Sequence, residues 1–205
     1  MIIKTEATGP MSVNTYLAFC EETKKGFLVD PGGYSERLAQ LIRSEGVQLD
    51  YIILTHGHGD HIGGVTAFMR EFPGAKLVCT RAEKEVLSDD RMSFASYFET
   101  DALPEPDLYA EDGGALAVGT INLTFLHTPG HTPGGLCILA GDVLFSGDTL
   151  FAQSVGRTDF PGGSFEALQQ SIREKLFVLP DHVTVLPGHM GQTKIGVEKR
   201  GNPFI

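Results

Sequence analysis

One ten-residue stretch, T-H-G-H-G-D-H-I-G-G at Thr55–Gly64, holds three histidines and an aspartate set among glycines. Imidazole nitrogens and carboxylate oxygens are the usual ligands of zinc, iron and manganese. Alternate residues of an extended loop point the same way, so His56 and His58 can converge on one ion. Asp60 is next in that phase, and His61 directly after it can face a second ion. Gly57 and Gly59 take side chains out from between the ligands and let the backbone bend tightly.

Three more residues of ligand type recur in similar settings. His131 lies in T-P-G-H-T, Asp148 in F-S-G-D-T and His189 in L-P-G-H. Each follows a β-rich apolar run and sits beside a glycine, where loops on a packed scaffold expose chemistry. Seven such residues suffice for two ions. His56, His58 and His131 can hold one, and Asp60, His61 and His189 the other. Asp148 can bridge them through its two oxygens. A closed structural zinc site favours thiolates and four ligands. A larger set without cysteine implies open coordination positions and catalysis. His127 and His182 read as surface or hydrogen-bonded residues.

These loops need strands to carry them. Asn14–Phe19, Gly26–Val29, Tyr51–Leu54, Lys76–Thr80, Ala115–Val118, Ile121–His127, Leu136–Ala140, Val143–Phe145 and a last run, Val183–Leu186, read as strands. V-D-P-G-G after Val29 reads as a turn. Ser35–Ser44, with Ser35 as cap, has apolar residues at helical spacing, as do the stretch from Val65 to Glu71 and Arg81–Leu87. Phe165–Phe177 reads as one amphipathic helix through Leu168, Ile172 and Leu176. Ser88–Gly113 is acidic, proline-containing and aperiodic, and is expected to be a loop or lid. No low-complexity linker divides the 205 residues, so one α/β domain is expected. The strands are too numerous and hairpin-like for a purely parallel doubly wound sheet.

A formal net charge of −10 argues against nucleic acid or an anionic membrane as the main partner, since both require a basic face. The opening residues lack the pattern of a signal peptide, and no apolar run approaches a membrane span. Cys20, Cys79 and Cys137 are scattered and form no C-x-x-C pair, which fits reduced, buried thiols. A cytoplasmic location is expected on these grounds.

The motifs T-H-G-H-G-D-H, T-P-G-H-T, G-D-T and P-G-H, with N-T-Y-L at Asn14 and V-D-P-G at Val29, resemble those of the metallo-β-lactamase superfamily across nearly the whole chain. The resemblance implies a four-layer αββα sandwich with two metals at one edge, held by the seven residues as grouped above. Within the superfamily, L-F-A-Q-S-V-G-R-T-D-F-P-G-G at Leu150–Gly163 looks like the glyoxalase II-like hydrolases, in their short bacterial form. The resemblance implies that Arg157 contacts the glutathione part of a thioester. The aromatic contact found two residues later in that family is Asp159 here, with Phe160 adjacent. The C-terminal helical domain of longer glyoxalase II enzymes has no counterpart after His189, and Lys199 or Arg200 of the tail could supply other substrate contacts.

The activity so implied is thioester hydrolysis, such as S-lactoylglutathione to hydroxy acid and thiol. A hydroxide bridging two divalent ions, zinc foremost and iron or manganese as alternatives, would attack the carbonyl, and Asp60 would orient it or accept its proton. G-R-T-D-F also resembles the persulfide dioxygenases of the superfamily, which use one iron at the counterparts of His56, His131 and Asp148. A lactone hydrolase is a further alternative. An RNA-processing nuclease would require a basic surface, which this composition does not suggest.

Overall fold

A computed structural model describes residues 1–103 and 105–205. The N-terminal half lays down one six-stranded sheet in sequence order: β1 (Ile2–Thr8), β2 (Val13–Phe19), β3 (Lys25–Val29), β4 (Gln48–Ile53), β5 (Lys76–Thr80) and β6 (Leu108–Ala110). β1, β2 and β3 run antiparallel, and β3 to β6 run parallel. The second half supplies β7 (Ala115–Val118), β8 (Ile121–His127), β9 (Leu136–Ala140), β10 (Val143–Gly147), the small hairpin β11 (Leu150–Phe151) and β12 (Ser154–Val155), then β13 (Thr184–Pro187) and β14 (Thr193–Lys194). Its six-stranded sheet has the order β14-β13-β10-β9-β8-β7.

The two-residue period of the strands sorts side chains into layers. Tyr16, Ala18, Phe27, Val29 and Ile53 point from the first sheet toward Leu123, Phe125, Ile138 and Phe145 of the second. Phe145 packs edge-on against Tyr16 and Phe27, with centroids 5.3 and 5.8 Å away. The alternate residues, Leu17, Phe19, Leu28 and Ile52, face outward onto α1 (Glu36–Ser44), the one-turn α2 (Gly59–Ile62) and α3 (Val65–Glu71) through Leu38, Ile42, Ile62, Val65 and Phe68. Cys137, Leu144 and Val185 likewise meet Leu168, Ile172, Leu176 and Ile195 on the far side. Those residues belong to α6 (Phe165–Ser171), a π-helical turn (Ile172–Leu176) and α7 (Ile195–Gly201). The layers therefore run αββα. Among the described residues, no helix is long and apolar enough to cross a membrane.

Several boundaries differ from those read in the sequence. Phe165–Phe177 is not one regular helix, because its last turn widens so that the Phe177 N–H donates to the Ile172 carbonyl at 2.8 Å. Arg81–Leu87 begins later, as α4 (Glu83–Ser88). The aperiodic stretch Ser88–Gly113 contains α5 (Asp90–Ser93) and β6, both too short to register a period, and residue 104 of it lies outside the described residues. Val183–Leu186 is not the last strand, since β14 follows and extends the second sheet at its edge, and α7 then packs on its face.

Candidate metal centre

Four strands end at one place. β4 runs into Thr55–His58, β8 into the loop of His131, β10 into Asp148 and β13 into His189. The two sheets are tied there by the Leu136 N–H, which donates to the Thr55 carbonyl at 2.8 Å. At Gly147, with φ +49°, a Cβ would strike the Thr55 side chain, so only glycine permits this approach.

The seven candidates converge as two triads. His56 and His131 bring their Nε2 atoms to 3.2 Å, and His58 lies edge-on to both rings at centroid distances of 4.8 and 4.6 Å. In the second triad His61 and His189 bring their Nε2 atoms to 3.3 Å, and Asp60 Oδ2 is 3.4 Å from His189 Nε2. Within each triad the ligand atoms lie within 4.8 Å of one another. Asp148 stands between them. Its Oδ2 is 3.7 Å from His131 Nε2 and 3.7 Å from His189 Nε2, and its Oδ1 is 3.4 Å from His61 Nε2.

The partners of the other ring nitrogens explain why Nε2 is the atom presented. His61 Nδ1 donates to Asp30 Oδ2 at 2.9 Å, His131 Nδ1 to the Arg157 carbonyl at 2.7 Å, and His56 Nδ1 to Thr55 Oγ1 at 3.1 Å. A proton held on Nδ1 leaves the Nε2 lone pair free for an ion. Asp30 was read in the sequence only as part of a turn, and it is the functional residue that reading missed. It is buried, with φ +46°, and also accepts from the Thr55 N–H at 2.7 Å and the Thr55 hydroxyl at 2.5 Å. Asp30 lies within ligand distance of His56 and His61, but its oxygens are occupied by these donors, so it orients ligands rather than being one. The signal for it was an acid between an apolar strand and P-G-G.

Burial among neighbouring imidazoles pushes His58 down to about 3, and holds His56 well below and His131 below the usual histidine range. Those three rings are neutral, as ligands must be. The other triad is carboxylate-rich. Burial by itself would lower His61, but Asp148, the Asp30 bond and Asp60 outweigh it and raise it to about 9, so an ion binding there displaces the proton on Nε2 while Asp30 keeps the one on Nδ1. Burial would raise Asp60, but the His189 bond and His61 outweigh it and bring it down to about 2.

The donor set fits metal ions. Asp148 Oδ1 is buried and makes no hydrogen bond among the described residues, with the His61 ring 3.4 Å away, so it keeps lone pairs that an ion between the triads would use. A Cβ at residue 188 would overlap that oxygen and the His61 ring, so the glycine of P-G-H leaves the room.

The centre forms the floor of a cavity of about 570 Å³, with Phe94, Phe98, Phe151 and Phe160 among its walls. Phe94 and Phe98 come from the segment read as a lid. Arg157 lines the same cavity, with its guanidinium 3.8 Å from the centroid of Phe160 and paired with Asp159 through two bonds of 2.7 Å. Lys199 and Arg200 are not brought to it. Lys199 donates to the Leu179 carbonyl at 2.8 Å, and both pair with Asp181. The inward charged residue of that helix is the buried Glu198, which accepts from the Gln153 N–H at 3.0 Å and so ties α7 to the turn between β11 and β12.

The family model for the metallo-beta-lactamase superfamily matches residues 8–189, a span that includes Asp30 and all seven ligand candidates. The chain belongs to the metallo-beta-lactamase superfamily. It is 37% identical over 190 residues to the hydroxyacylglutathione hydrolase GloC of Haemophilus influenzae, covering 90% of this chain and 89% of that protein. Among solved structures, BLEG-1 B3 metallo-beta-lactamase superposes with a TM-score of 0.91 at 35% identity, over 99% of both chains. ETHE1 from Myxococcus xanthus does so with 0.82 at 30%, over 99% of this chain and 84% of that one. TTHA1623, solved in a di-iron-bound form, gives 0.87 at 32% over the whole of both chains. The αββα arrangement read from the motifs is thus the family's fold, and metal-dependent hydrolysis is the general chemistry of this superfamily.

Proposed function

We propose that this metallo-beta-lactamase superfamily member hydrolyses thioesters in the manner of glyoxalase II, with two divalent ions, zinc foremost, and a small thiol ester as substrate. The observation that carries the reading is the pair of triads joined by Asp148 at the floor of a walled cavity. The likeness to GloC supports the thioester class. His56, His58 and His131 would hold one ion, Asp60, His61 and His189 the other, with Asp148 between them. When bound, such ions lower the pKa of water from about 15.7 toward 7 and polarise a carbonyl.

The chain's own residues do the rest. Asp60, ionised at neutral pH, offers an oxygen that can take the proton of the attacking water. Phe94, Phe98 and Phe160 shield the floor from bulk water, which strengthens every charge interaction within. Arg157 offers a planar fork to a carboxylate of the thiol carrier, once released from Asp159. A departing thiolate has a pKa near 8.5 and needs no general acid.

The test is metal content measured together with turnover of S-lactoylglutathione. Two ions and hydrolysis support the reading. One iron with oxygen consumption on glutathione persulfide would replace it with the dioxygenase reading, which the G-R-T-D-F stretch favours.

A further inference from the structure

Glu83 opens α4 and is 1% exposed, yet the chemistry above gives it no part. Its carboxylate reaches two ligand-bearing loops at once. Oε1 accepts from the Gly57 N–H at 2.8 Å, between His56 and His58. Oε2 accepts from the Thr132 hydroxyl at 3.0 Å, next to His131. The Gly134 carbonyl accepts from Thr80 Oγ1 at 2.7 Å, and the same hydroxyl accepts from the Glu83 N–H at 3.3 Å. The glycines leave room for this carboxylate. A Cβ at Gly57 would lie 2.9 Å from Leu87 Cδ2 and 3.3 Å from Glu83 Oε1, and one at Gly134 would overlap the Glu83 carboxylate and backbone nitrogen. The loop of His56 and His58 leaves the first sheet, and the loop of His131 leaves the second. A buried acid is retained where its hydrogen bonds fix an arrangement.

We infer that Glu83 is a positioning residue for the three-histidine half of the centre: it clamps the loop of His56 and His58 onto the loop of His131, so that the three imidazoles meet at one ion. Asp30 orients the other half through His61. The clamp therefore acts on one ion and spares the other. This inference rests on the ligand grouping and not on the reaction, so failure to hydrolyse thioesters leaves it standing.

The experiment titrates ion-free full-length protein with zinc against a chromophoric chelator, in the wild type and in Glu83→Ala, Glu83→Gln and Thr132→Val. In Glu83→Ala one of two binding events should weaken about 10–100-fold, the other staying within about twofold. Glu83→Gln keeps an acceptor for the Gly57 N–H and can donate its amide to the Thr132 hydroxyl, so it should restore most of the affinity. Thr132→Val, which removes one arm, should weaken the same event less. If Glu83→Ala does not fold, as judged by circular dichroism, Thr132→Val decides between one weakened event and none. Two unchanged events in a folded variant, equal loss from both, or a Glu83→Gln protein as weak as Glu83→Ala would each overturn the assignment.

Discussion

The carbonyl oxygen of Arg157 accepts a hydrogen bond of 2.7 Å from Nδ1 of His131. The G-R-T-D-F stretch thus takes part in the centre twice. Its backbone fixes the tautomer of a ligand, and its Arg157 side chain, 55% exposed, lines the cavity. The two roles separate by mutation, because a side-chain change leaves the carbonyl in place.

Arg157→Ala should therefore raise KM for glutathione thioesters about tenfold, the order of one charge-assisted hydrogen bond net of the Asp159 pair that must first open. Metal content and kcat should stay near wild type. Steady-state kinetics with metal analysis on the same preparation check this, and loss of an ion on replacing Arg157 would show that its side chain also supports the centre.

Asp60→Asn keeps the size of the side chain and removes its charge. Hydrolysis should fall about 10²–10⁴-fold if the carboxylate takes the proton of the attacking water. Turnover within a few-fold of wild type, with both ions bound, would remove Asp60 from that role and leave it a ligand alone.

Asp30 is never near substrate in this arrangement, yet Asp30→Asn should weaken ion binding about 10–100-fold, because His61 loses the acceptor that holds its proton on Nδ1. A chelator competition read by absorbance measures it. Because Asp30 also bonds the Thr55 hydroxyl that accepts from His56 Nδ1, the loss should reach both events and fall hardest on the one that Glu83→Ala spares.

Burial pushes Glu83 up to about 7 from an ordinary 4.5. The folded chain therefore holds this proton more tightly than the unfolded chain. As pH rises from 4.5 the unfolded state ionises first, and stability falls until the folded group also ionises near 7. Glu83→Gln has no such proton. In urea unfolding of chelator-treated protein, the stability of Glu83→Gln relative to wild type should grow by about 3 kcal/mol between pH 4.5 and 8, the order of a shift of this size. A pH-independent difference would mean that Glu83 ionises at its ordinary pKa despite its burial.

The ligand types, their spacing and the glycines between them were legible in the sequence because metal chemistry restricts which side chains can serve, and a short loop keeps several together. Strands such as Ile121–His127 and Leu136–Ala140 were legible for a similar reason, since a strand alternates or runs apolar over a few consecutive residues. What tertiary structure alone decided is everything that joins distant segments. Asp30 meets His61 across 31 positions, Glu83 meets Thr132 across 49, and both look in sequence like ordinary acids of a turn and a helix. The tail shows the same limit in reverse: Lys199 and Arg200 suggested a binding site by charge, but α7 turns Glu198 inward and gives them to Asp181. Spacing along the chain determined which atoms could bind an ion. Only the packing of the two sheets face to face determined which lone pairs face it, because His61 and His131 are aimed by Asp30 and Arg157, 31 and 26 positions away in sequence.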